Sequence, residues 1–437
     1  MNDSARLIYH NDKLTLVIPR ENLETIDFQK ICAKAKYDKD FPPNVIKKVG
    51  KRYIICKSLT ISNDSVNAES STKSKAKEKY EINAQICFEY ITFGEVDSKE
   101  SLRIDFQHSV FKERVYFTNC EFNANVFFNH AVFHKYADFH ESIFNGIVSF
   151  YNATFNSAPN FSTCVFSKLQ GTDFINAKIN KLKFATIKDF INEYENDKTH
   201  KDEIANTTDS KDKITKKHKI RYASNARDSF RTIKNVLIEN NNLLDASNWH
   251  KLELYAKEQE LKLQKPCLLT SPKKWCDLWQ LKLYRKTSEH HTDLLKIWHT
   301  LMVLNGVFGL LFGLICLFGY CQIDLFKCVS RCLPCDYVFC NAGKICINTL
   351  LAFMFAVLFL CAVLCKIARY AFIGIGYLAS FIILIVQPKY LLPTMIIFEH
   401  KESYSHTATI SAVYTMLFIL VIFSLQKTAR KNSIIPN

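Results

Sequence analysis

Phenylalanine recurs at Phe106, Phe111, Phe117, Phe122, Phe128, Phe133, Phe139, Phe144, Phe150, Phe155, Phe161 and Phe166, in steps that alternate between five and six residues without a break. The register then shifts and resumes at Phe174, Ile179 and Phe184. Neither the 3.6-residue helical period nor the two-residue strand period produces this spacing, and a helix would scatter the rings around its circumference. A repeat of eleven with two inward residues fits a solenoid whose backbone turns a corner every five or six residues. A second, small column precedes every other ring by two residues: Cys120, Ala131, Ser142, Ala153 and Cys164. Phe would fill the centre of the coil, and the small residues would let the backbone close in. Asn, His, Ser and Thr between them suit solvent-facing corners.

On these residues the segment resembles the pentapeptide-repeat proteins, in the Phe-rich form that reads F-x-x-A-x-F. The matching stretches are Phe117–Asn119–Cys120–Phe122, Phe128–Ala131–Phe133, Phe139–Ser142–Phe144, Phe150–Ala153–Phe155 and Phe161–Cys164–Phe166. The resemblance implies a right-handed quadrilateral β-helix of about 20 residues per coil, with roughly four coils over 106–184. The structural core ladder is then Phe117, Phe122, Phe128, Phe133, Phe139, Phe144, Phe150, Phe155, Phe161 and Phe166. The six-residue steps depart from a strict pentapeptide and predict bulged corners on alternate faces.

Some proteins of this kind mimic DNA, which requires an acidic surface. Residues 101–190 hold seven acidic and nine basic side chains, so DNA mimicry is not expected. The whole chain is basic, with a formal charge of +15, but carries no zinc-finger, helix-turn-helix or RNP-like signal, and no nucleic-acid partner is expected. Much of the basic excess sits ahead of the apolar third of the chain, in KKHKIR (Lys216–Arg221), Lys273–Lys274 and KLYRK (Lys282–Lys286), where an anionic membrane face would attract it.

Residues 1–100 hold short β-like runs (KLTLVIP, RYIICKSLTI, QICFEYITF) separated by a polar stretch, and read as a β-rich segment that caps the solenoid of 101–190. Residues 191–217 are charged and poor in apolar residues, and read as a flexible linker. Residues 218–265 read as a helical hairpin. Its first helix runs over 224–241 with Ser224 as N-cap, its second over 245–265 with Trp249, Leu252, Tyr255 and Leu263 at helical spacing. The hairpin resembles the helix pair that follows the repeats in membrane-bound pentapeptide-repeat proteins of bacteria. Arg231, Lys234, Glu253 and Glu258 carry that likeness, which implies an architecture and no mechanism. Trp275, Trp279, Tyr284 and Trp298, interleaved with Lys and His over 266–299, suit a helix at headgroup depth.

Four uncharged runs follow, at about 301–323, 345–365, 370–387 and 407–426, each long enough to cross a hydrocarbon layer of about 30 Å. The expected partner is therefore a lipid bilayer, and the expected fold a four-helix transmembrane region with a tail at 427–437. The pre-span segment, the Lys366–Arg369 loop and the Lys427–Lys431 tail are basic and fall on one side, which places both termini in the cytoplasm of a multi-pass protein. Run three is closed early by Pro388, and a re-entrant pair of runs two and three is the alternative topology. With the bacterial resemblance, the location expected is the inner membrane; the N-terminus has no secretory h-region. Gly309 and Gly313 form a GxxxG spacing near Gly306, consistent with close helix contact, with homo-oligomers, or with the general enrichment of Gly in membrane helices.

Cys328, Cys332, Cys335 and Cys340 lie in the loop after run one. Zinc would need four such thiolates, but the C-x3-C-x2-C-x4-C spacing is irregular for that. Disulfides are expected ahead of metal if the loop faces outward, and unpaired thiols are the third reading. No cofactor is expected. No phosphate loop, dinucleotide fingerprint, GxSxG or HExxH occurs, and no enzyme is expected. The expected function is non-enzymatic: a cytoplasmic solenoid serving as a scaffold for an unidentified protein. A channel or transport-associated protein with a regulatory solenoid is the alternative, weakened by the lack of charged residues inside the runs.

Overall fold

The computed structural model describes residues 5–19, 25–38, 41–63, 80–95, 102–179, 184–192, 195, 198–206, 210–320, 337–386 and 405–432. The chain forms two compact units, Met1–Lys274 and Trp275–Asn437.

Among the described residues the first unit is built on four sheets of seven, five, four and six strands, in which successive coils pair in parallel. Within the regular segment the register advances by 22 residues per coil, as in Asn123 to Asn145, where the family resemblance implied about 20. Five plus six, twice, makes that coil. One inward column reads Ile55, Phe93, Phe122, Phe144, Phe166 and another Ile82, Phe111, Phe133, Phe155, Ile179. The rings stack face to face up each column: Phe122–Phe144 centroids lie 4.6 Å apart at 2°, Phe128–Phe150 4.8 Å at 6°, and Phe139–Phe161 4.7 Å at 3°. Neighbouring columns meet edge to face, as Phe139 and Phe150 do at 88°. Each fully buried ring contributes about 1.5–3 kcal/mol, with about 0.5–1.5 more for a favourable aromatic pair.

The corners differ from the expected bulges. Left-handed residues sit in the five-residue steps, at His108, Asn119, His130, Glu141, Asn152 and Thr163. Five of the six turns are closed by a backbone hydrogen bond such as Ala131 N to Phe128 O or Ala153 N to Phe150 O, both at 3.0 Å; at Asn119, Cys120 N donates instead to Ser142 Oγ at 3.1 Å. The six-residue steps turn with no non-glycine residue at positive φ, because the extra residue gives the backbone room. The small column also does more than fill space. Ser142 Oγ donates to Phe117 O, Cys120 Sγ to Phe88 O and Cys164 Sγ to Phe139 O, tying each coil to the one before. Burial pushes the Cys120 thiol up to about 12, so it stays a protonated donor.

The solenoid begins well before residue 101. Lys13–Val17 and Ser58–Ser62 are parallel strands of the same sheet as Arg103–Asp105, and Leu14, Leu59, Ile104 and Val126 continue one inward column. Here the register advances by 45 residues instead of 22, because each early coil carries an insertion, and Leu14, Leu59 and Ile104 hold the column that Val126 and Val148 continue. The N-terminal end is closed by the antiparallel strand Arg6–His10 and by the helix Phe28–Lys36. Asp27 caps that helix, accepting from Gln29 N and Lys30 N, and the Phe28 ring lies 4.8 Å from Phe88.

The segment expected as a flexible linker, 191–217, contains the helix Lys198–Asn206 and the start of a 29-residue helix, Lys211–Glu239. Ser224 lies inside this helix and accepts from Arg227 Nη2; the N-cap position is Ser210. Low apolar content misled here, because buried contacts at Ile214, His218 and Tyr222 hold the extra turns. Leu243–Gln264 completes the hairpin, and Arg231 and Lys234 both donate to Glu253, at 3.0 and 2.8 Å. Phe230, Ile233, Leu237, Trp249 and Tyr255 share one core with the phenylalanine columns, so the hairpin is part of the solenoid's structure and not a separate domain.

Most of the helix Pro272–Ser288 belongs to the second unit, and helices Leu294–Tyr320, Tyr337–Leu364, Lys366–Val386 and Ser405–Asn432 follow over the four apolar runs. Among the described residues two stretches are long and apolar enough to cross a membrane, Leu294–Leu314 and Ile410–Ala429. The middle pair, Thr349–Leu364 and Lys366–Ile382, passes the same test together but is bent by 112° at its break, so it counts as at most one further span or a re-entrant element. The close helix contact is made by Gly306 and Gly376: a Cβ on the first would meet Phe372 O, and on the second Met302 O. Gly309 faces Ala379, whereas Gly313 has nothing within 4 Å, so the GxxxG pair itself is not the contact. Asn305 Nδ2 donates to Ser380 Oγ at 3.1 Å and its Oδ1 accepts from Tyr414 at 2.7 Å, joining three helices.

Candidate functional site: a groove along one sheet of the solenoid

The sheet formed by Thr25–Asp27, Gln85–Cys87, Val115–Tyr116 and Ala137–Asp138 carries a groove of about 1270 Å³ on its outer face. Strand alternation sends Ile26, Ile86, Val115 and Ala137 inward, and so sends Asp27, Cys87, Tyr116 and Asp138 into the groove. Asn160 extends the row through a parallel bridge with Asp138. A second row, two residues on, is Glu89, Thr118, His140 and Ser162. The Phe28–Lys36 helix supplies one end, through Gln29, whose Nε2 donates to Glu89 O at 2.7 Å. Lys201, Arg221 and Asp228, on the C-terminal helices, supply the other.

The polar centre is tightly bonded. Asp138 is buried, and its Oδ1 accepts from His140 N at 3.0 Å and from Asn160 Nδ2 at 2.9 Å. Asn160 Oδ1 accepts from Ser162 Oγ at 2.6 Å and from Ser162 N at 3.1 Å. His140 Nδ1 lies 3.3 Å from Asp138 Oδ1, and that carboxylate raises the imidazole's pKa above its ordinary value against the opposing effect of burial. Burial likewise raises the Tyr116 phenol and holds the Tyr136 phenol well above its usual range, so both remain protonated hydroxyls. This arrangement suits recognition through hydrogen bonds and charge. It assembles no activated nucleophile, and among the described residues no cluster of three His, Cys, Asp or Glu side chains has metal-binding geometry.

The ladder residues Phe117, Phe122, Phe128, Phe133, Phe139, Phe144, Phe150, Phe155, Phe161 and Phe166 are all buried in the core and line no surface site. Cys328, Cys332 and Cys335 lie outside the described residues, as does the side chain of Cys340 on the helix Tyr337–Leu364, so the state of that thiol set falls outside them too. His130 and His134, expected at solvent-facing corners, bond across coils to Asn152 and Asn156 at 3.0 and 3.1 Å. Sequence reasoning passed over Tyr116, Asp138 and Asn160. Their signal was present: each immediately precedes a Phe of one column, Phe117, Phe139 or Phe161, and therefore points outward where that Phe points in.

The fold defines a β-solenoid of stacked parallel strands followed by helices. Residues 102–143 match the family model for pentapeptide repeats (9 copies), so this part of the chain is a pentapeptide-repeat domain. No curated protein matches the chain, and no solved structure does.

Proposed function

We propose that this protein is a non-enzymatic membrane protein whose solenoid is a docking platform, with the groove as the docking surface for an extended polar segment of a partner protein. The observation that carries the reading is the groove: two ladders of hydrogen-bonding side chains, Asp27 to Asn160 and Glu89 to Ser162, repeat at the strand spacing of about 4.8 Å. Its rims offer carboxylates at Glu89 and Glu141 and cations at Arg114, Lys201 and Arg221. A bonded, rigid row of this kind loses little entropy when a segment lies along it.

The finer architecture belongs to the same reading: a right-handed, four-sided coil held in the cytoplasm of a bacterium by four helices in the inner membrane. Support for a single-sided arrangement of the basic stretches comes from the second unit. His291, just before the first apolar helix, bonds Ser424 near the end of the last at 2.8 Å, and Arg369 at the middle break donates to Lys286 O at 2.6 Å. The channel alternative loses one argument, since Gly306 and Gly309 pack within the chain.

The test is crosslinking and capture from native membranes with the full chain. Removing 106–184 would also expose the hairpin core, so point changes are preferable. Glu89→Lys with Glu141→Lys alters the groove rims; Ile143→Lys with Val165→Lys alters exposed positions on another sheet. Loss of a specific protein with the first pair alone supports the groove. Loss with the second pair alone, or with neither, overturns it.

A further inference from the structure

The second unit contains its own cavity, about 360 Å³, where the start of the helix Leu294–Tyr320 meets the break between Tyr337–Leu364 and Lys366–Val386. Four cations line it: Lys286, Lys296, Lys366 and Arg369, with His299 beside them. Lys296 pairs with Glu289. Asp293 is the cavity's one carboxylate among the described residues, and its Oδ1 is engaged as the helix cap, accepting from Lys296 N at 2.9 Å. Arg369 is braced by Lys286 O, at 2.6 Å, which fixes its guanidinium at the cavity wall. Lys286 and Lys366 have no carboxylate within ion-pair distance among the described residues. The remaining lining is mostly apolar: Leu295, Val363, Leu364 and Ile373, with Tyr370.

A cavity lined by both cations and apolar side chains suits a phosphodiester joined to an acyl chain. We propose that this cavity binds an anionic phospholipid, with the phosphate between Lys286, Lys366 and Arg369 and the acyl chain along Val363, Leu364 and Ile373. The proposal rests on the reading that these helices lie in a bilayer, and on no property of the groove. Free phosphate shares the charge chemistry but would leave the apolar lining unused.

The experiment places the full chain in phosphatidylcholine nanodiscs carrying a small fraction of phosphatidylglycerol and counts retained phosphatidylglycerol by native mass spectrometry. Lys286→Gln with Lys366→Gln is compared with Lys273→Gln with Lys274→Gln, which removes the same charge from the start of the helix Pro272–Ser288, outside the cavity lining. A direct charge-assisted contact to a phosphate is worth about tenfold in binding, so the cavity pair is expected to lose about 100-fold, well beyond the diffuse loss of the control pair. An equal loss in both pairs means diffuse attraction and overturns the site. Displacement by millimolar inorganic phosphate as efficient as that by lipid overturns the lipid assignment. Failure of the wild-type chain to enter nanodiscs overturns the membrane reading itself, an outcome distinct from insertion without selective retention.

Discussion

Phe161 donates its backbone N–H to Ser229 Oγ at 2.8 Å. Phe161 lies beside the last strand position of its sheet, where the next coil would supply a carbonyl; the helix Lys211–Glu239 supplies a hydroxyl instead. Ser229 in turn donates to Asn225 O at 2.6 Å, and Asn240 Nδ2 donates to Thr172 O at 2.6 Å on the final strand of a neighbouring sheet. An open solenoid end is a row of unpaired backbone groups and a template for aggregation. Here the hairpin closes it, with an apolar face over the last rings and side-chain polar groups on the orphaned backbone.

Ser229→Ala leaves the Phe161 amide buried without an acceptor, which costs about 1–3 kcal/mol. The loss is expected to be local. Hydrogen exchange on the full chain should show faster exchange at Phe161 and its neighbours, with little change near Phe106. Uniform exchange across the solenoid would contradict the capping role.

Phe139→Ala removes a ring stacked between Phe117 and Phe161, at 5.1 and 4.7 Å, and is expected to cost about 3–5 kcal/mol. Phe139→Leu keeps most of the volume and should cost less, about 1.5 kcal/mol. Val165→Thr, at an exposed position, should stay within about 0.5 kcal/mol of wild type. Resistance of the full chain to limited proteolysis ranks the three.

Glu253 gives a pH dependence. Burial disfavours its carboxylate, but hydrogen bonds from His250, Lys234 and Arg231 outweigh burial and hold its pKa at about 2 against an ordinary 4.5. A depressed carboxyl contributes stability that is present above the unfolded value and lost as pH falls through the folded one. The hairpin should therefore loosen between pH 4.5 and about 2, and Glu253→Gln should flatten that part of the profile. His140, raised by Asp138, has the opposite sign: its contribution is complete below 6.5 and fades as pH rises. Helicity and protease resistance against pH measure both.

Gly376→Val places a side chain against the Met302 carbonyl, where no other atom fits. Overpacking of this kind costs about 1–3 kcal/mol or separates the helices. Cysteines substituted at Asn305 and Ser380, whose side chains touch at 3.1 Å, should crosslink in the wild-type background and poorly with Gly376→Val.

The periodicity of Phe alone determined that 106–166 is a solenoid, because no other regular structure buries rings at alternating five- and six-residue steps. Likewise, uncharged runs of 18 or more residues sufficed to mark the membrane-seeking region, since hydrocarbon thickness sets that length. Tertiary structure decided what local pattern could not carry. The early coils lie behind insertions that hide the period, so Leu14 and Leu59 joined the column only through pairing. The hairpin's role depends on which buried face it meets, and amphipathic spacing does not name its partner. Four apolar runs do not specify four crossings, because the middle two form helices bent by 112° at Cys365, a relation between elements that hydropathy does not carry. The groove exists because residues 22 apart in sequence, such as Asp138 and Asn160, become neighbours only when the coil closes.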